Sequence, residues 1–278
     1  MNAKTISIIN MKGGVGKTTL SINLGRYLSE LKQKKVLLVD LDPQANATIV
    51  GIAPDELKQH LKQKKTVADL FINCLKSYGP FPKTEEVKIN ISDYIYRSFE
   101  STDKKSYLDL IPSEIILSSV LKGVSLGPYE LNRLLIDEVK NKYDFIIVDC
   151  APTYSLLTTL ALNATGAILM PVMADSFGVY GVQLMKHVIE EHQYDYGVDI
   201  KVVCLLFTMW ESDKKHQNSF MNQIRKEWNL QTFNTKISKS DWYKIANGKR
   251  EMIWESSAHQ ALKAEFEAFV EEFLQKVG

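Results

Sequence analysis

The chain has 278 residues, 45% hydrophobic and 24% charged, with 34 basic and 33 acidic side chains. That composition is of an ordinary globular protein long enough to bury a sizeable core, and a net charge of +1 leaves any nucleic-acid affinity to a local patch. Its three cysteines, Cys74, Cys150 and Cys204, are scattered and odd in number, which argues against a disulfide framework, and no apolar run approaches the ~20 residues of a membrane span.

In chain order, residues 5–10 read as a short buried strand, followed by a Gly-rich turn and a helix over 17–33. Residues 35–40 are a second continuous apolar strand. Segment 54–106 is rich in Lys, Ser, Tyr and Pro, carries the breaker run Gly79-Pro80-Phe81-Pro82, and reads as an insertion of helices and loops on one sheet edge. Residues 107–111 form a weaker strand candidate. Clear apolar strands return at 143–149, 166–172 and 200–207. Helices are expected at 128–140, 154–164, 178–191, 214–228 and 259–276. Strands alternating with helices predict an α/β fold, a doubly wound and mostly parallel sheet with helices on both faces. The whole chain, 1–278, reads as a single domain. The N-terminus lacks the charged and apolar regions of a signal peptide, so a cytoplasmic setting is expected.

The most informative segment is Asn10-Met11-Lys12-Gly13-Gly14-Val15-Gly16-Lys17-Thr18-Thr19. It sits between an expected strand and an expected helix, as a phosphate-binding loop must. Glycines let backbone N–H groups approach phosphate oxygens, and the helix beginning near Lys17 adds its positive end. Lys17 would reach the β- and γ-phosphates of a bound nucleotide, and the Thr18 hydroxyl would ligate Mg²⁺. Two further strands end in carboxylates: Asp40 and Asp42 after the second, Asp149 after the run at 143–149. Ligands bind at that edge of an open α/β sheet, and Mg²⁺ prefers hard oxygen donors and keeps several waters. Asp40 and Asp149 fit outer-sphere holders of those waters.

The pattern Lys-Gly-Gly-x-Gly-Lys-Thr, with Met11 where the usual motif has its first glycine, resembles the deviant Walker A motif of the ParA/MinD class. Val39-Asp40-Leu41-Asp42-Pro43-Gln44-Ala45-Asn46-Ala47-Thr48 is similar to the ParA form of its first switch region. The match is dense at 5–51 and 143–153 and loosens beyond. It implies a P-loop NTPase of the short, Soj-like type, without an N-terminal helix-turn-helix domain. The resemblance makes Lys12 the signature lysine, which reaches a partner subunit's nucleotide in an ATP-dependent homodimer sandwich. By the same resemblance Asp42 orients the attacking water, Asn46 belongs to the first switch, and the segment from Asp149 through Thr153 to the second. Pro171, Thr208 and Met209 stand where the family builds base contacts and core. The cofactors implied are ATP/ADP and Mg²⁺.

The family's ATP-bound dimer binds DNA without sequence preference, hydrolyses ATP slowly under stimulation by a ParB-like centromere-binding protein, and works at the nucleoid of bacteria or archaea. Candidate DNA contacts are Lys214, Lys215, Arg225 and Lys226, then Lys239, Lys244, Lys249 and Arg250, although Lys-rich helix faces are usually only solvated. A MinD-like switch at a membrane or a protein complex is the alternative. The last helix is amphipathic, but its polar face is acidic where an anionic membrane would want Lys and Arg. It reads as a core-packing helix, with no stable membrane association expected.

Overall fold

The computed structural model of the protein describes residues 2–78, 89–120, 136–198, 200, 202–228 and 231–278. The apolar runs become strands β1 (Lys4–Ile8), β2 (Lys35–Leu41), β4 (Tyr107–Ile111), β5 (Phe145–Cys150), β6 (Ala167–Met173) and β7 (Val202–Trp210), joined by β3 (Tyr96–Glu100) and β8 (Gln231–Ser238). They form one eight-stranded sheet in the order β3-β4-β2-β5-β1-β6-β7-β8. All pairings are parallel except β3 with β4.

Helices cover both faces, which is why the central strands are apolar on both sides. In β2, Leu37, Val39 and Leu41 point into one core, and Val36 and Leu38 into the other. The first core receives α4 (Val67–Tyr78), α6 (Leu156–Ala164), α7 (Ser176–Tyr196) and α8 (Lys215–Trp228). The second receives α1 (Lys17–Glu30), α9 (Asp241–Lys249) and α10 (Gln260–Lys276). Short helices α2 (Asn46–Gly51), α3 (Pro54–Lys62) and α5 (Leu117–Val120) lie in the connections.

Two differences from the sequence reading have physical causes. Strand β3 occupies a segment expected to hold only helices and loops. Its residues Tyr-Arg-Ser-Phe-Glu are half-buried or exposed, because it is an antiparallel edge strand with one neighbour, so no continuous apolar run marks it. A helix not among those expected, α9, follows the last strand; Ser240 opens it by accepting the Trp242 N–H. Most of the helix expected at 128–140, and the run 79–82, lie outside the described residues.

The acidic face of α10 has a structural task. Strand β8 ends the sheet, so part of its backbone has no strand to pair with. Glu272 accepts from the N–H groups of Asn234 (2.8 Å) and Thr235 (2.9 Å), and from the Thr235 hydroxyl. Two turns earlier, Glu265 takes the Ser238 N–H (2.7 Å) and hydroxyl (2.6 Å). Phe266, Phe269, Val270 and Phe273 on the same helix are buried in the core. As expected, the apolar face of α10 is a core face, and among the described residues no helix is long and apolar enough to cross a membrane. Glu272→Ala leaves two backbone donors of β8 without acceptors. It should lower unfolding stability by about 1–3 kcal/mol in urea titration, whereas Glu271→Ala, on an exposed turn, should change it far less.

Candidate functional site

The P-loop leaves β1 at the C-terminal edge of the sheet. Gly14 (φ 75°) and Gly16 (φ 88°) take left-handed backbone that a side chain would strain. The loop is held from beneath. Asn10 Nδ2 donates to the Pro171 carbonyl in β6 (2.8 Å), and Asn10 Oδ1 accepts the Lys12 N–H (2.8 Å). The Thr208 hydroxyl donates to the Val15 carbonyl at 2.9 Å. Lys17 curls back under this arch and donates to the carbonyls of Asn10 (2.9 Å) and Lys12 (3.0 Å). Its ammonium is buried and forms no ion pair among the described residues. Burial lowers its pKa, and the charges of Asp149 and Asp42 only partly oppose that shift.

The acidic side lies next to it. Register pairs Asp40 with Asp149 across β2 and β5, which sets the two carboxylates side by side. Asp40 Oδ2 accepts from the N–H (2.9 Å) and hydroxyl (2.7 Å) of Thr48, and Oδ1 accepts the Asp42 N–H (3.1 Å). Asp40 therefore clamps the head of α2. Asp149 Oδ1 accepts the Ser21 hydroxyl at 2.8 Å, the Thr18 hydroxyl lies nearby, and Oδ2 is buried without a partner. Burial pushes Asp40 up, against the Thr48 bonds; burial and then the Asp40 charge push Asp149 up. A partnerless buried oxygen beside the Thr18 hydroxyl fits a hydrated divalent cation, which would remove the strain that burial places on both acids.

Above the loop opens a cavity of about 620 Å³. Residues 13–19 floor it, Asp42, Gln44 and Asn46 form one wall, and Thr208, Met209, Ile237, Tyr243 and Phe266 form the other. Met209 holds φ 52°, a left-handed conformation for a side chain that does not favour it, as strained site residues do. Polar groups converging on a partly apolar cavity of this volume suit a small ligand.

Residues 3–202 match the AAA domain family. The chromosome-partitioning ATPase Soj of Treponema pallidum is 28% identical over 238 residues, 85% of this chain and 83% of that protein. The sporulation initiation inhibitor protein Soj of Bacillus subtilis is 30% identical over 243 residues, 85% of each. The chain is a ParA-type member of the AAA domain family. An ATP complex of McdA from Cyanothece has the same fold, with a TM-score of 0.75 at 22% identity over 99% of this chain and 97% of that one.

In this ParA-type chain the structure gathers Gly13 to Thr19, Asp42, Thr208 and Met209 around one cavity, with Asp40 and Asp149 buried behind it. Pro171 does not line the cavity. It lies under the loop, where its carbonyl anchors Asn10. Lys12 turns to its own chain and pairs with Asp175 (2.8 Å), beside the exposed ring of Phe177. The basic candidates divide between the two faces. Lys215, Arg225 and Lys226 ride on α8, where Arg225 is half-buried and donates to the Phe233 carbonyl. Lys244 and Lys249 ride on α9, on the opposite face, beside the cavity. Lys214 and Lys239 both pair with Glu211, and Arg250 donates to the Ile49 carbonyl. Asn10 and Thr48 are support residues that lie within the two motifs, where the motif reading gives them no role. The sequence reading does not single out Asp175, although it caps a helix shortly after an apolar strand. Asn10→Ala should cost about 1–3 kcal/mol in chemical denaturation, because it strands the Pro171 carbonyl and the Lys12 N–H.

Proposed function

We propose that this protein is an ATP-dependent, dimerising switch for DNA partition. It binds ATP or ADP with Mg²⁺ as one P-loop domain spanning 1–278, with an insertion at about 54–106. The ATP form is a homodimer that holds non-specific DNA in the cytoplasm at the nucleoid, and a ParB-like centromere-binding protein stimulates its slow hydrolysis. The observation that carries the reading is Lys17: a buried ammonium held by two carbonyls and no carboxylate, beneath glycine-shaped backbone and an open cavity. Such a cation calls for an anion, and a nucleotide polyphosphate is the anion that the loop is shaped to receive. The partition role draws on the name of the Treponema pallidum relative, and nucleotide binding on the McdA complex with ATP.

In this reading Lys17 and the loop N–H groups neutralise charge on the β- and γ-phosphates. Asp42, at the cavity wall, accepts a hydrogen bond from the attacking water and aims it along the line of the breaking bond. Thr18 and Asp149, with Asp40 behind them, would hold the cation, which when bound supplies charge neutralisation at the phosphate oxygens. Lys12 exchanges Asp175 for the partner subunit's nucleotide, so that ATP holds two copies together. The membrane alternative draws no support from α10, whose phenylalanines are buried.

Two variants and one binding series test this. Lys17→Ala should lose nucleotide binding. Asp42→Ala should keep ATP and the dimer while hydrolysis falls at least about a hundredfold; hydrolysis at the parent rate removes the role given to Asp42. Binding of a random-sequence duplex should appear with ATP, vanish with ADP, and weaken steeply with salt. Dimers without duplex binding would redirect the function to a membrane or protein cargo.

A further inference from the structure

Helix α9 and the residue after it reach the cavity, the P-loop helix and α2. Its first turn, with Asp241, Tyr243 and Lys244, lines the cavity. Its last turn reaches the P-loop helix, where Asn247 Nδ2 donates to the Thr19 hydroxyl at 3.2 Å. Just past its end, Arg250 takes left-handed backbone (φ 58°) and sends Nε to the Ile49 carbonyl in α2 at 3.0 Å. Ile49 follows Thr48, the residue clamped on Asp40. A continuous path of hydrogen bonds and chain therefore runs from the acidic cluster through α2 to the end of α9.

On the same helix Lys244 and Lys249 are exposed, and the ion pair of Lys244 with Asp241 at 3.2 Å has side chains 84% and 85% exposed. A pair so exposed is worth little and gives way readily to a phosphate. The Arg250 fork differs from these lysines because its Nε is committed to the Ile49 carbonyl.

We propose that α9 makes polyanion binding depend on the nucleotide, and that Arg250 is a positioning residue that acts through the Ile49 carbonyl rather than a contact to DNA. The inference rests on the partition reading and deepens it. When a γ-phosphate and its water settle against Asp42 and Asn46, α2 adjusts, and the Ile49 carbonyl carries Arg250 with it. The end of α9 then moves relative to Thr19, which re-aims Lys244 and Lys249. The ATP and DNA sites are thus joined by a coupling free energy, and linkage makes the effect reciprocal.

The test measures affinity for a random-sequence duplex with a non-hydrolysable ATP analogue and with ADP, over a salt series, for the parent chain, Arg250→Ala and Asn247→Ala. A nucleotide-binding titration and a far-UV spectrum accompany each protein. In both variants the preference for the ATP-analogue state should fall at least about fivefold, while the salt dependence keeps its parent slope. The duplex should also tighten the analogue less in the variants than in the parent. An unchanged preference with a slope about one unit shallower in Arg250→Ala makes Arg250 a direct phosphate contact and overturns the inference. A parent that binds duplex equally in both nucleotide states overturns the coupling and leaves DNA binding standing. A parent that binds nucleotide but no duplex overturns the partition reading, and the coupling falls with it.

Discussion

A buried ammonium without a carboxylate partner is the constraint on which the rest of the site depends. Taking a charge out of water costs several kcal/mol unless close partners replace the solvent. The chain supplies Lys17 with only two carbonyls, and those carbonyls stay in place because Asn10 and Thr208 fasten the loop to β6 and β7. Across from it, Asp40 and Asp149 carry the opposite problem, pressed together and buried in the same crevice. The acids and the lysine are too poorly paired to satisfy one another fully. A polyphosphate with a divalent cation completes both halves at once. That is a physical basis for a switch, since the site holds charge that only its ligand can finish.

The fold makes this arrangement possible by placing the ends of adjacent parallel strands at one edge. The loop after β1 and the C-terminal ends of β2 and β5 bring Lys17, Asp40, Asp42 and Asp149 within one crevice, although β2 and β5 are far apart in the chain. The two walls of the cavity come from different sources. The wall at Asp42, Gln44 and Asn46 runs from the end of β2 into the short helix α2, which is held by Asp40, Ser98, Ser113 and Arg250. The wall at Ile237 and Tyr243 belongs to β8 and α9, which α10 braces through Glu265 and Glu272.

Much of this was legible in the chain before any coordinates. Strands covered on both faces must be apolar throughout, so β1, β2, β5 and β6 announced themselves, and the glycine and lysine spacing of 12–19 marked the loop. Edge strands gave weaker signals: β3 is half polar, and β8 keeps only Phe233 and Ile237 fully turned inward. The supports of the site were illegible because they are contacts between distant residues. Nothing near Asn10 points to Pro171, and nothing near Thr208 points to Val15. The basic clusters show the same limit in reverse. Lys226 and Lys244 are close in sequence, yet β8 between them sends their helices to opposite faces of the sheet.

The measurement that bears most directly on the unfinished-charge account is thermal unfolding of the protein with ATP and Mg²⁺, with ATP alone, and with adenosine. At about a hundred times the dissociation constant, MgATP should stabilise the native state by about 2.7 kcal/mol. ATP alone should give less, and adenosine, which brings the base and sugar without phosphate charge, almost nothing. A melting temperature unmoved by MgATP, or moved equally by adenosine, would contradict the claim that the buried lysine and acids wait for a charged ligand.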